Sequence, residues 1–173
     1  LLSASVLRRV IRHNLKEDSA RIVDLYSVIP AVTGKMELTY EGEQEGPENV
    51  AMHILGEALE NVYSECFDED EMQKKRDDNY IELRNFFEQG NQILLSPHQT
   101  PDDFSSYLNA VKGLTKLAEN CETAIEISKE LLMELLIFGF TEVEVLTKSD
   151  IGEGFVVEDP LGDMFSGFMD DFE

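Results

Sequence analysis

Arg21 is the side chain of this 173-residue sequence whose type and position best suit anion binding. A guanidinium is permanently charged and offers a rigid donor fork to phosphate or carboxylate oxygens. Arg21 stands at the start of an expected helix, in the basic part of an acidic chain. Five of the 14 basic residues, Arg8, Arg9, Arg12, Lys16 and Arg21, fall in the first 21 positions, and the acid excess follows them. An ordinary surface arginine fits the same pattern, and Arg8, Arg9 and Arg12 on the preceding helix compete for any anion-binding role.

The other chemistry-bearing residues do not assemble into a site by spacing. A phosphate-binding loop surrounds phosphates with the amides of a glycine-rich turn and adds a lysine and a hydroxyl at fixed positions. Thr33-Gly34-Lys35-Met36 lacks the earlier glycine and the later Ser or Thr, and reads as a turn. Gly152 and Gly154 follow no strand-to-helix signal, so they make no dinucleotide fingerprint. His13, His53 and His98 are isolated from one another and from the cysteines, without the paired spacing of a zinc site. They read as surface or helix-packing histidines. Asp68-Glu69-Asp70-Glu71 lacks the glycine and the terminal glutamate of a calcium loop and reads as a solvated charge run. No nucleophile, base and orienter emerge together, so the sequence offers no catalytic and no metal-ligating residues. Cys66 and Cys121 read as buried thiols in a reducing compartment.

The elements that would position Arg21 are helical. Residues 3 to 14 read as a helix with Val6, Val10 and Ile11 inward, closed by Asn14. Asp18 or Ser19 caps a second helix carrying Ile22, Leu25, Tyr26 and Ile29, which ends before Pro30. Met36, Leu38 and Tyr40 alternate with Glu37 and Thr39, the period of a short strand. Pro47 suits the first turn of a helix with Val50, Ile54, Ala58, Val62 and Cys66 on one face. A helix with Tyr80, Leu83, Phe86 and Phe87 stops near Gly90, and Thr100-Pro101-Asp102-Asp103 opens another that buries Phe104, Tyr107 and Leu108. A further helix follows near Leu114, and the apolar stretch Ala124 to Phe138 reads as a central helix. Residues 150–173 read as a mobile acidic tail whose Phe155, Met164, Phe165, Phe168, Met169 and Phe172 are available to a partner. The expected fold is mainly α with one short β element. It divides into residues 1–66, a helical subdomain at 67–149 beyond a hinge near 67–72, and the tail.

Composition narrows the function. The net charge of −22, from 36 acidic against 14 basic residues, opposes the phosphate neutralisation that supplies most nucleic-acid affinity. No apolar window is long enough to span a bilayer, and no secretory signal opens the chain. Neither a nucleic acid nor a membrane is therefore an expected partner, and the expected location is cytoplasmic. Leu1-Leu2-Ser3 lacks an initiator Met, so the chain reads as the end of something longer.

The run Ser19-Ala20-Arg21-Ile22-Val23-Asp24-Leu25-Tyr26, followed by Thr33-Gly34-Lys35-Met36-Glu37-Leu38-Thr39-Tyr40-Glu41-Gly42-Glu43-Gln44-Glu45-Gly46 and Asn49-Val50-Ala51, resembles the C-terminal region of magnesium chelatase ATPase-subunit-like, MoxR-related AAA+ proteins. A looser likeness extends through Phe86 to Asn91 and Val111 to Leu114. The resemblance implies that residues 1–30 are the end of a helical lid, and that Arg21 is the candidate for the arginine such lids contribute to nucleotide phosphates. It implies a nucleotide-binding core N-terminal to Leu1, ATP and magnesium in the full-length protein, and neither in this chain alone. It further implies ring neighbours and a client or adaptor protein as partners, with turnover coupled to protein remodelling or metal insertion. The alternative, from the residues themselves, is a non-enzymatic acidic helical adaptor.

Overall fold

The computed structural model of the chain describes residues 1–38, 40–68, 70, 77–121, 127–151 and 154–160. Helices α1 (Leu2–His13), α2 (Ile22–Leu25), α3 (Ile29–Thr33), α4 (Tyr40–Glu45) and α5 (Pro47–Cys66) come first, with the 3-10 turn Tyr26–Val28 joining α2 to α3. They are followed by α6 (Asp78–Glu88), strand β1 (Ile93–Leu95), α7 (Pro101–Ala110), α8 (Leu114–Glu119), α9 (Lys129–Glu142), β2 (Thr147–Asp150) and β3 (Phe155–Glu158). The chain is thus mainly helical, with a small three-stranded sheet.

Helix α9 is the axis of the packing. Ser128 caps it by accepting a hydrogen bond from the Leu131 N–H at 3.2 Å, and every residue from Leu132 to Phe140 is buried. A helix apolar on all sides must be surrounded. Leu59 and Tyr63 of α5, Leu83 and Phe87 of α6, Leu108 of α7 and Leu117 of α8 supply that surround within one buried cluster. Tyr63 lies so close to Gly139 that a Cβ there would stand 2.1 Å from its ring, which explains a glycine inside α9. Gly113 is required twice over: its φ is +79°, and a Cβ would meet the Asn79 carbonyl oxygen at 2.0 Å. The cluster includes Tyr63 and Phe67 together with Tyr80, side chains from both sides of the expected hinge.

Capping chemistry set several boundaries as expected. Thr100 Oγ1 accepts from the Asp103 N–H at 3.1 Å with Pro101 in the first turn of α7, and Asn14 closes α1 in the left-handed conformation at φ 52°. Other expectations fail. The strand expected at residues 36–40 is not formed: 36–38 are irregular and Tyr40 opens α4, while Thr39 lies outside the described residues. Alternation of three apolar residues does not make a strand without a neighbour to complete its hydrogen bonds. The second helix does not start at Asp18 or Ser19 and does not stop at Pro30; Arg21 caps α2, and Pro30 sits in the first turn of α3, where its missing N–H costs nothing. In α5 the inward ladder is Ala51, Leu55, Leu59 and Tyr63, one position from the expected one, and Ile54 and Val62 face outward.

Of residues 150–173, expected to form a mobile acidic tail, the structure corrects the reading for residues 155–158. Residues Phe155–Glu158 form β3, the central strand, antiparallel to β1 with Ile93 opposite Val157 and to β2 with Lys148 opposite Val157. Phe155 and Val157 point into the core, where the Phe155 ring lies tilted against Tyr26 with centroids 4.6 Å apart. Partners on both edges hold this segment despite its acidic neighbours. Residues 161–173, with Met164, Phe165, Phe168, Met169 and Phe172, lie outside the described residues.

Candidate functional site

The N-terminal arginines occupy sharply different environments. On α1 the buried face carries Ser5 and Arg9, not the apolar stripe expected from Val6, Val10 and Ile11; Ile11 is 71% exposed. Arg9 is drawn inward because two carboxylates wait there. Its Nε donates to Asp18 Oδ2, its Nη1 to Asp24 Oδ1 at 2.9 Å and to the Pro97 carbonyl at 2.9 Å, and its Nη2 to the Ser19 carbonyl at 2.8 Å and Asp24 Oδ2 at 3.0 Å. All five N–H groups of this guanidinium are engaged, so Arg9 has no donor left for a ligand. Arg8 and Arg12 are exposed.

Asp24 is the counterpart of Arg9 and is fully buried. It accepts from Arg9, from Ser5 Oγ at 2.6 Å and from the Arg21 N–H at 2.9 Å, which also fixes the first turn of α2. Burial pushes the Asp24 carboxyl up, but the hydrogen bonds from Arg9, Ser5 and the Arg21 backbone outweigh it and hold the group below the ordinary carboxylate range.

Arg21 is placed by the same network and left with unused capacity. Its guanidinium lies 4.2 Å over the Phe104 ring, and its Nη2 makes one long contact of 3.5 Å to Asp18. Its Nη1 is buried and has no hydrogen-bond partner among the described residues. Burial, reinforced by the positive charge of Arg9, lowers the Arg21 pKa below the ordinary arginine value. Arg21 lines a cavity of about 340 Å³ together with Asp18, Asp102, Phe104, Glu130 and Glu134, and is the one basic side chain among the lining residues. An orphaned N–H in so little solvent favours any oxygen acceptor that enters. The surrounding carboxylates favour an acceptor that arrives with a cation over a bare anion.

Glu134 also lines the cavity. It projects from the middle of α9 with no solvent exposure and accepts from the backbone N–H of Ile22 at 2.6 Å and of Val23 at 3.0 Å. Burial pushes its carboxyl up to about 7, opposed by those two N–H groups and by Arg21. The ordinary value for the group is 4.5, so between that pH and about 7 the folded protein holds the extra proton. The Glu134 contribution to stability therefore declines as pH rises through this window, the reverse of the Asp24 contribution, which fades as pH falls below about 4. We expect urea midpoints of Glu134→Gln to lack this decline relative to the native chain between pH 4.5 and 7, at a lower stability throughout because an amide accepts one of the two N–H bonds less well. Parallel pH profiles for the two proteins would refute the assignment.

Of the residues singled out from sequence, the structure thus brings Arg9 and Arg21 to one network and leaves Arg8 and Arg12 outside. His53 is exposed beside Glu57, while His13 Nε2 lies 2.7 Å from the His98 carbonyl and helps hold α1 to the loop before α7. Asp24 and Glu134 were missed. Glu134 did carry a signal, as the lone acid between Leu131 and Phe140. Among the described residues no group of three His, Cys, Asp or Glu could hold a metal ion, and no helix is long and apolar enough to cross a membrane. No protein family, curated protein or solved structure matches this chain.

Proposed function

We propose that this chain is the end of an AAA+ lid and its C-terminal helical extension, working within a magnesium chelatase-like, MoxR-related ATPase of the cytoplasm. In this reading it couples nucleotide turnover in an upstream core to the remodelling of a partner protein or to metal insertion. The carrying observation is the contrast between the arginines: Arg9 has every donor engaged, and Arg21, over Phe104 and lining a cavity, has a buried Nη1 without a hydrogen-bond partner among the described residues. The sequence run from Ser19 to Gly46 supports the same reading through its resemblance to that family.

The residues present fit a phosphate oxygen at Arg21 Nη1. In this reading magnesium would be held by the core, where it would neutralise phosphate charge. What this chain contributes is position and transmission. Arg9 bonds the loop at Pro97, and Glu134 bonds the first turn of α2 from the middle of α9, so a displacement of Arg21 is carried into the helical body through short buried bonds. Ring neighbours and a client protein are the partners this function requires.

The second reading, an acidic helical adaptor without enzymatic activity, draws on the outer face of α5, where Ile54 and Val62 are exposed among Glu57, Glu60 and Glu65. The coding sequence upstream of Leu1 separates the two. A phosphate-binding loop and a metal-binding acid motif are expected there, and an upstream sequence without either would overturn the ATPase reading.

A further inference from the structure

Helices α1 and α5 each turn a partly apolar face to solvent, and the charges around the two faces are opposite. On α1, Leu7 and Ile11 stand one turn apart, both more than half exposed, beside the exposed Arg8 and Arg12. On α5, Ile54 and Val62 are about half exposed, with exposed Ala58 between them, among Glu57, Glu60 and Glu65. The separation of charge is complete along the helices: α1 contains no acidic residue and α5 no lysine or arginine. Among the described residues neither Arg8 nor Arg12 is in an ion pair. The two helices flank one cavity of about 320 Å³, α1 through Ser5 and Arg8 and α5 through Glu48 and Met52, so their outer faces are neighbours on the molecule. We propose that the chain forms a dimer in which the Leu7 and Ile11 face of α1 in each copy lies on the Ile54 and Val62 face of α5 in the other.

A second copy suits both faces because each supplies what the other lacks. Pairing α1 with α1 would set Arg8 and Arg12 against their own kind, and pairing α5 with α5 would do the same to the glutamates. Pairing α1 with α5 buries apolar residues from both helices and gives two guanidinium forks carboxylates to bind. Because the faces are neighbours, a two-fold axis makes the contact twice and closes the assembly at two copies. The net charge of −22 on each copy opposes association. At physiological salt, however, charges more than about 8 Å apart are largely screened, while those in contact are not. Two helix-on-helix contacts put the interface at the small end of specific interfaces, with a dissociation constant of about 10–100 μM. The dimer does not rest on the nucleotide reading, since neither face lines the Arg21 cavity.

The test is sedimentation equilibrium of the whole chain in about 0.15 M salt, with two charge-reversed variants. One carries Arg8→Glu and Arg12→Glu, the other Glu57→Lys and Glu65→Lys. All four side chains are exposed, so both variants should keep the native circular dichroism, while each associates with itself at least about tenfold more weakly than the native chain. Mixed one to one, they should form a heterodimer within about threefold of the native affinity, because every contact again joins opposite charges. Reversing Lys112 and Lys116, exposed residues on neither helix, should leave the native dimer unchanged. A native chain that stays monomeric up to about 0.5 mM, a dimer that survives reversal on either helix, or variants that remain apart when mixed would each overturn the proposal.

Discussion

Replacing Arg9 with alanine should lower the stability of the chain by about 4 kcal/mol, read as a fall in the urea midpoint. The size follows from what the substitution strands. Asp24 is fully buried and would lose two of its charge-assisted bonds, and the Pro97 and Ser19 carbonyls would lose their donor. Asp18 would lose a third carboxylate contact. Removing one member of a buried ion pair costs more than the pair itself contributes, because the remaining charge stays desolvated. Arg9→Lys should recover little, since an ammonium has three donors and no planar fork to span two carboxylates and two carbonyls. Arg12→Ala, three residues away on the exposed side of the same helix, should change stability by about 0.5 kcal/mol or less. Equal effects at Arg9 and Arg12 would show that the network does not organise the N-terminal helices.

This network also marks where the sequence stopped being legible. Local chemistry was readable: the Thr100 cap with Pro101, the αL closure at Asn14 and the apolar run of α9 all depend on residues within a few positions of one another. Long-range partners were not. The helix α1 has Val6 and Val10 beside Ser5 and Arg9, and periodicity alone turns the apolar pair inward. Only Asp18 and Asp24, placed by the turn after α1, make burial of Arg9 favourable. The α5 ladder failed for a related reason. Val50, Ile54, Ala58 and Val62 repeat at the same interval as Ala51, Leu55, Leu59 and Tyr63, and the contacts of Tyr63 with Phe140 and Gly139 on α9 decide which face is buried. The sheet was hidden because its strands are three or four residues long and β1 pairs with β3 across more than 60 positions, with β3 embedded among acids and glycines.

The candidate site was legible in one residue and misjudged in its company. Arg21 stood out by charge and position, and it does stand at the start of a helix beside a cavity. Its competitors looked equivalent until the fold engaged every donor of Arg9 and left Arg8 and Arg12 at the surface. Apart from Asp18, the acids that share the cavity come from α7 and α9, more than 80 positions later in the chain, and no spacing pattern links them to Arg21.

Arg21→Lys in the full-length protein is the most direct test of the proposed coupling role. Lysine keeps a positive charge and a long stem over Phe104 but gives up the second nitrogen of the fork, the atom without a partner. The measurement is ATP turnover at saturating magnesium, with thermal unfolding of the same preparation as the control for folding. If Arg21 Nη1 meets a nucleotide phosphate, turnover should fall by about a hundredfold, while the melting temperature moves by about 3 °C or less. Unchanged turnover in a variant that unfolds at the native temperature would contradict it.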